Sequence, residues 1–220
     1  MAARRALAGV AIVAALLYLA GLAVDAPALR LLSKPVPVLA LAALVLSGRR
    51  DGYATALAGG LTLSALGDLL LEVPGHFVAG LATFLCAHVA YTAAFVREER
   101  GLRIERALPF ALWLLGAFVW IRPGLGEMTV PVVVYMLAIG TMMWRAAARM
   151  GGAASDDAGA RAALVGAILF GLSDTLIAID RFRAPLPGAP YAIILLYWAG
   201  QAGIAASTQG RASSYPPRDG

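Results

Sequence analysis

Eight long apolar runs, separated by short polar breaks, organise this chain. They fall at about 6–24, 31–46, 53–73, 76–96, 107–121, 129–148, 160–179 and 191–208. Unbroken runs of this length predict membrane-crossing helices, because an isolated strand would leave its backbone groups unpaired in lipid. A membrane β-barrel would instead alternate apolar and polar positions in segments of about ten residues. The second run is interrupted by Lys34, Pro35 and Pro37, and the fifth is short and led by Pro109, so these two have the softest ends. The first run has the basic start of a signal peptide, but it is longer than an h-region and seven more spans follow. It is read as a retained helix. The predicted fold is all-α: a polytopic bundle of about eight transmembrane helices in one domain, residues 1–208. A Ser-, Pro- and Arg-rich tail, 209–220, is expected to be disordered.

A short internal likeness adds a hint of duplication. Leu63–Val73 and Leu169–Ile179, aligned on Asp68 and Asp174, share a Leu two residues before and two residues after the aspartate. Spans three and seven are four apart and run in the same direction. Two parallel four-helix halves about an axis along the membrane normal would account for it.

Composition agrees with the bilayer as solvent: 60% of the 220 residues are hydrophobic and 14% are charged, against about 25% charged in a soluble domain. The net charge of +5 does not indicate nucleic acid, because the basic residues sit in short loops where they set topology. With the N-terminus cytoplasmic, that side holds Arg4, Arg5, Arg49, Arg50, Arg97, Arg100, Arg103, Arg106, Arg145, Arg149, Arg161, Arg211 and Arg218, or 13 of 18 Lys and Arg. Arg30, Lys34, Arg122, Arg181 and Arg183 lie on the other. This predicts a plasma-membrane protein with both termini in the cytoplasm. The single Cys86 excludes an internal disulfide and a cysteine metal cluster, and is expected to pack as a small hydrophobe.

Function is then sought in polar residues inside the spans. A charged group at a helix centre costs about 2.5–3.5 kcal/mol on insertion scales, so it faces the bundle interior and has a partner. Lys34, Asp68, His88 and Asp174 are such residues. Tyr135, Tyr197 and Gln201 join them at related depths, with His88 and Tyr91 deeper in span four. Asp68 and Asp174 lie about 8–9 Å inside the same membrane face at 1.5 Å per residue. Polar groups from six helices thus share one half of the bilayer, which predicts a pocket open to the non-cytoplasmic side. Each residue also has a structural reading: an aspartate paired with Lys34, a lysine snorkelling to the interface, a core histidine, tyrosines that pack with one hydrogen bond each. Glu72, His76 and Asp180 lie nearer the span ends, and Glu72 and Asp180 are expected to be solvated helix ends. Gly59, Gly60 and Gly80 are read as close helix contacts.

These residues lie in segments that resemble the YhhN family of eight-helix, lysoplasmalogenase-type membrane proteins: SKPVPVLALAAL (33–44), LSALGDLLL (63–71), FVAGLATFLCAHVAY (77–91), VVVYMLAIGTMM (132–143), GAILFGLSDTLIAIDRF (166–182) and LLYWAGQAGIA (195–205). The resemblance covers spans two to eight, and its elements are spread along the chain in order. It implies hydrolysis of the vinyl ether bond of a lysoplasmalogen, or a related lysolipid of the bilayer, to a fatty aldehyde and a glycerophospho-base. Vinyl ether hydrolysis proceeds by protonation of the carbon β to oxygen, capture of the oxocarbenium ion by water, and collapse of the hemiacetal. That chemistry needs a positioned acid, a carboxylate facing the cation and a base for water. Asp68 and Asp174 are the candidate pair, expected to titrate together. Either could be the acid. Lys34, His88, Tyr91, Tyr135, Tyr197 and Gln201 are the candidate substrate-binding set: Lys34 for the phosphate or a neighbouring carboxylate, Tyr135 and Gln201 for water or glycerol, His88 to relay a proton or hold an aspartate. No metal or other cofactor is expected, although His88 with both aspartates could hold an ion. No Gly-x-Ser-x-Gly elbow is present. The alternative is a lipid-binding protein or small-molecule transporter using the same pocket, for which Pro35, Pro37 and Pro131 offer breaks in corresponding spans.

Overall fold

The computed structural model describes residues 2–48, 50–151 and 157–209. The tail from 210 onward, and Arg49, Arg211 and Arg218 of the charge count, lie outside the described residues. Among those described there are nine α-helices and no strand: α1 (Ala2–Ala23), α2 (Pro27–Ser33), α3 (Val36–Leu46), α4 (Gly52–Glu72), α5 (Phe77–Glu98), α6 (Leu108–Ile121), α7 (Thr129–Ala148), α8 (Asp157–Phe182) and α9 (Ala189–Ala206). They make eight spans, each long and apolar enough to cross a membrane. The protein is an integral, multi-pass membrane protein.

The two soft spans differ in instructive ways. The second begins at Pro27, four residues before the expected start, because a proline lacks the N–H that the first helical turn leaves unpaired anyway. It divides into α2 and α3 around Lys34 and Pro35, where the sequence placed its interruption. The fifth gains length from a 3₁₀ turn at each end, Ile104–Arg106 and Arg122–Gly124, which carry it to 21 residues, Ile104–Gly124. At about 1.5 Å per residue that matches a hydrocarbon core of about 30 Å. Pro131 breaks nothing: it sits in the first turn of α7.

Short connections make successive spans antiparallel, so α1, α4, α6 and α8 finish at one end of the bundle, here the far end. The closest helix pairs are α4 with α5 and α8 with α9. Small residues allow it. A Cβ on Gly166 would stand 2.6 Å from the Gly200 carbonyl oxygen, and one on Gly203 would stand 2.8 Å from Gly166 Cα. The α8 and α9 backbones therefore touch, as small residues permit in membrane helices. Gly60 and Gly80 are close contacts as expected, against the Tyr91 ring and the Leu71 side chain, whereas Gly59 faces open space.

The polarity is that of a membrane protein. Val10, Ile12, Leu16 and Leu137 face outward, while Ser64, Asp68, His88 and Gln201 are buried. Cys86 is on the outer face rather than packed inside. Polar contacts tie the helices together at the near end. Arg149 donates to the Tyr53 hydroxyl at 2.7 Å, which meets the Ser207 hydroxyl at 2.6 Å. Arg106 caps the end of α7 through the Ala147 and Met150 carbonyls, and Arg145 holds the carbonyls of Glu99, Gly101 and Leu102. The far end is left to form a cleft.

Candidate functional site

The cleft has about 940 Å³ of non-atom space, part of it open to the surroundings. α5, α6, α7 and α8 supply most of its apolar walls, including Phe77, Phe84, Leu114, Ile139 and Phe182. Its polar groups are few, and five are ones the sequence singles out: Lys34, Asp68, Tyr135, Asp174 and Tyr197. Asp68 is four residues from the far end of α4, Tyr135 six from that of α7, and Asp174 and Tyr197 eight from those of α8 and α9. At 1.5 Å per residue all lie within about 12 Å of one end of the bundle. A largely apolar cleft with a few convergent polar groups is the usual form of a small-molecule site.

Each aspartate is held by a tyrosine from another helix. Tyr197 of α9 donates to Asp68 Oδ2 at 2.8 Å, and Asp68 is 1% exposed. Tyr135 of α7 donates to Asp174 Oδ2 at 2.5 Å. The phenol is a donor whose ring is content in an apolar wall. The Tyr197 ring packs edge-on against Phe84 and Phe170 at 5.8 and 5.3 Å, which fixes its aim. The cross-helix bonds draw α9 to α4 and α7 to α8.

The other three candidates lie deeper and do not line the cleft. His88 is fully buried, with its ring edge-on to Tyr135 at 5.1 Å and Nε2 3.9 Å from Asp174 Oδ2. That separation is too long for a hydrogen bond. Neither ring nitrogen has a hydrogen-bond partner among the described residues. Tyr91 donates to Gln201 Oε1 at 2.7 Å and meets the Ser64 hydroxyl at 3.2 Å, forming a buried polar link among α4, α5 and α9. Among the described residues no three His, Cys, Asp or Glu side chains gather as a metal-holding group. His88 and the two aspartates are not assembled as one.

Two residues near the far end do more than the sequence reading gave them. Glu72, expected to be a solvated helix end, is instead partly buried and accepts from Lys34 Nζ at 2.8 Å, Tyr18 Oη at 3.2 Å and Arg30 Nε at 3.4 Å. Lys34 therefore pairs with Glu72, not with an aspartate. The signal was available: a lysine inside an apolar span needs a carboxylate at its own depth, and Glu72 lies there. Asp180 also does more than end a helix, since its Oδ1 accepts from the Leu186 amide at 2.7 Å and so folds the loop before α9. His76 stays an exposed helix end.

Comparison with known proteins gives the arrangement relatives. The family model described as the YhhN family matches residues 29–208. Lysoplasmalogenase TMEM86B of Homo sapiens is 36% identical over 173 residues, spanning 77% of this chain and 71% of its own. Lysoplasmalogenase TMEM86A of Bos taurus is 39% identical over 161 residues, spanning 70% and 65%. A lysoplasmalogenase of Mycobacterium bovis is 35% identical over 134 residues, spanning 56% and 48%. No solved structure matches the chain. Since the family model runs from the second span through the eighth and takes in the whole cleft, the chain belongs to the YhhN family.

Proposed function

We propose that this protein is a membrane-embedded hydrolase that cleaves the vinyl ether bond of lysoplasmalogens, with Asp68 and Asp174 as its acid–base pair. One observation carries the proposal: two carboxyls, each aimed by its own tyrosine, open on one apolar cleft. The names of the relatives agree with it. The alkenyl chain lies along the apolar walls, and the glycerol faces the polar end. One carboxyl gives its proton to the vinyl carbon β to oxygen. The resulting oxocarbenium ion faces the second, ionised carboxyl, which stabilises it and takes a proton from the attacking water. The carbon–oxygen bond of the hemiacetal then breaks. Its hydroxyl proton passes to the departing glycerol oxygen, and a fatty aldehyde and a glycerophospho-base remain. His88 stands behind Asp174 as a positioning or relay group, and Tyr91 with Gln201 supports the wall that carries Tyr197. On the same reading both termini face the cytoplasm and the cleft opens to the opposite side.

The test is aldehyde release from an alkenyl lysolipid by purified protein in detergent. Asp68→Asn and Asp174→Asn should each lower kcat by about 10²–10⁴-fold, the usual worth of a positioned acid or base. Full activity in either variant overturns the assignment. Loss of activity with a chelator and recovery with a metal would replace the metal-free account. The transporter reading has the broken second span in its favour. It loses the matching break, because Pro131 opens α7 rather than interrupting it. Turnover without any gradient separates the two.

A further inference from the structure

Glu72 follows Asp68 by four residues on α4, so the two carboxyls share a helix face about 6 Å apart along its axis. Around Glu72 the charges alternate. Lys34 and Arg30 approach it at 2.8 and 3.4 Å, and the outer side of Arg30 holds Asp25 at 2.8 Å. The Glu72 and Lys34 side chains are 13% exposed, Arg30 21% and Asp25 89%. The group therefore runs from the cleft, which Lys34 lines, to the surface. Two cations and two carboxylates in a row form a zwitterionic cluster at the mouth of the site.

We infer that Glu72, Lys34 and Arg30 form the headgroup site of the lipid, and that Glu72 selects a primary ammonium such as ethanolamine over a quaternary one. The inference rests on the lysolipid reading given above. A phosphodiester takes the N–H donors of Lys34 and Arg30, while Glu72, released from them, accepts N–H donors from the ammonium. Ion pairs are exchanged rather than lost. This matters because opening a buried pair without replacing its partner is costly. A choline group has no N–H to give, so Glu72 would surrender charge-assisted hydrogen bonds and receive only a diffuse charge. A bare phosphate monoester brings no cation, and leaves Glu72 beside added negative charge. The spacing fits as well. One helical turn separates Glu72 from Asp68, and three glycerol carbons separate an ether oxygen from the phosphodiester. A phosphodiester on Lys34, beside Glu72, thus sets the vinyl ether at the depth of Asp68.

The experiment measures binding of non-cleavable 1-alkyl lysolipids with ethanolamine, choline or bare phosphate headgroups to the full chain in detergent, by calorimetry. Wild type should bind the ethanolamine lipid about tenfold more tightly than either of the others. Glu72→Gln should bring ethanolamine and choline within about twofold of each other. Because Glu72→Gln leaves Lys34 without its carboxylate while Arg30 keeps Asp25, the double variant Lys34→Gln/Glu72→Gln serves as a charge-matched second test. It should lose the ethanolamine preference and weaken all three lipids. Equal or tighter binding of the choline lipid by wild type, or a tenfold preference that survives in both variants, overturns the inference. These lipids carry no vinyl ether, so the result is independent of aldehyde release. Failure of the headgroup site and failure of the hydrolase reading are read in different assays.

Discussion

Removing one oxygen from each tyrosine separates positioning from packing. Tyr197→Phe deletes the donor 2.8 Å from Asp68, and Tyr135→Phe the donor 2.5 Å from Asp174. Both rings keep their aromatic neighbours, so the bundle should persist. A hydrogen bond to a charged group contributes about 1.5–3 kcal/mol. At 1.36 kcal/mol per factor of ten, each loss is about 10- to 150-fold in rate. The fall should appear in kcat more than in KM, because in the proposed mechanism the phenol holds a reacting group rather than the lipid. A double-mutant cycle makes the measurement specific. In an Asp68→Asn background, Tyr197→Phe should cost at most about twofold more, since the carboxyl it aims is already gone. Tyr135→Phe in that background should act on Asp174 alone. The assay is steady-state aldehyde release at saturating alkenyl lysolipid, with thermal unfolding run alongside to exclude collapse. If Tyr197→Phe costs as much without Asp68 as with it, the hydroxyl does not act through the carboxyl, and the pairing of tyrosines with aspartates is wrong as a mechanism.

Other consequences follow from the packing. Gly166→Ala places a methyl 2.6 Å from the Gly200 carbonyl oxygen and should lower stability by about 1–3 kcal/mol, whereas Gly59→Ala meets nothing and should be neutral or slightly stabilising; melting in detergent ranks them. Arg145→Met removes the donors that hold the carbonyls of Glu99, Gly101 and Leu102, a loss of about 3 kcal/mol, and limited proteolysis should then cut between α5 and α6. Cys86→Ser changes only an outer-face side chain and should leave melting within about 0.5 kcal/mol and aldehyde release unchanged.

Much of the fold was legible because lipid leaves a chain few choices. Apolar length gave eight spans, and the ends of α7 coincide with the expected 129–148. Where the reading slipped, the reason is local. Pro27 starts α2 early because a proline fits a first turn, and the fifth span is completed by 3₁₀ turns that hydropathy does not mark. At the site, depth along each helix was readable but azimuth was not. Asp68, Asp174, Tyr135 and Tyr197 share depth and also face the cleft. Tyr91 and Gln201 lie a few residues further in and point into the wall, where they bind each other. Glu72 was discounted for its place at a helix end, yet four residues from Asp68 it had to lie on the same face. Periodicity applied to polar residues would have found it.

The tyrosine-held aspartates also explain why such a site can lie within a membrane at all. A buried carboxyl without a donor is expensive in lipid, and a water-filled pocket would relieve it at the risk of a leak across the bundle. Here the donors come from α7 and α9, while at the near end Arg149, Tyr53 and Ser207 are tied to one another by hydrogen bonds. Among the described residues the cleft that holds both aspartates is lined by Lys34 and lies toward the far end. The products part in the same geometry. On the proposed hydrolysis a glycerophospho-base would be released beside Lys34, whereas the aldehyde would keep its chain among Leu114, Ile139 and their neighbours, with lipid its favoured destination. A lysolipid joins a water-soluble half to a bilayer-soluble half, and on the proposed function a cleft polar at its mouth and apolar along its walls would hold the bond between the two at the boundary where they must separate.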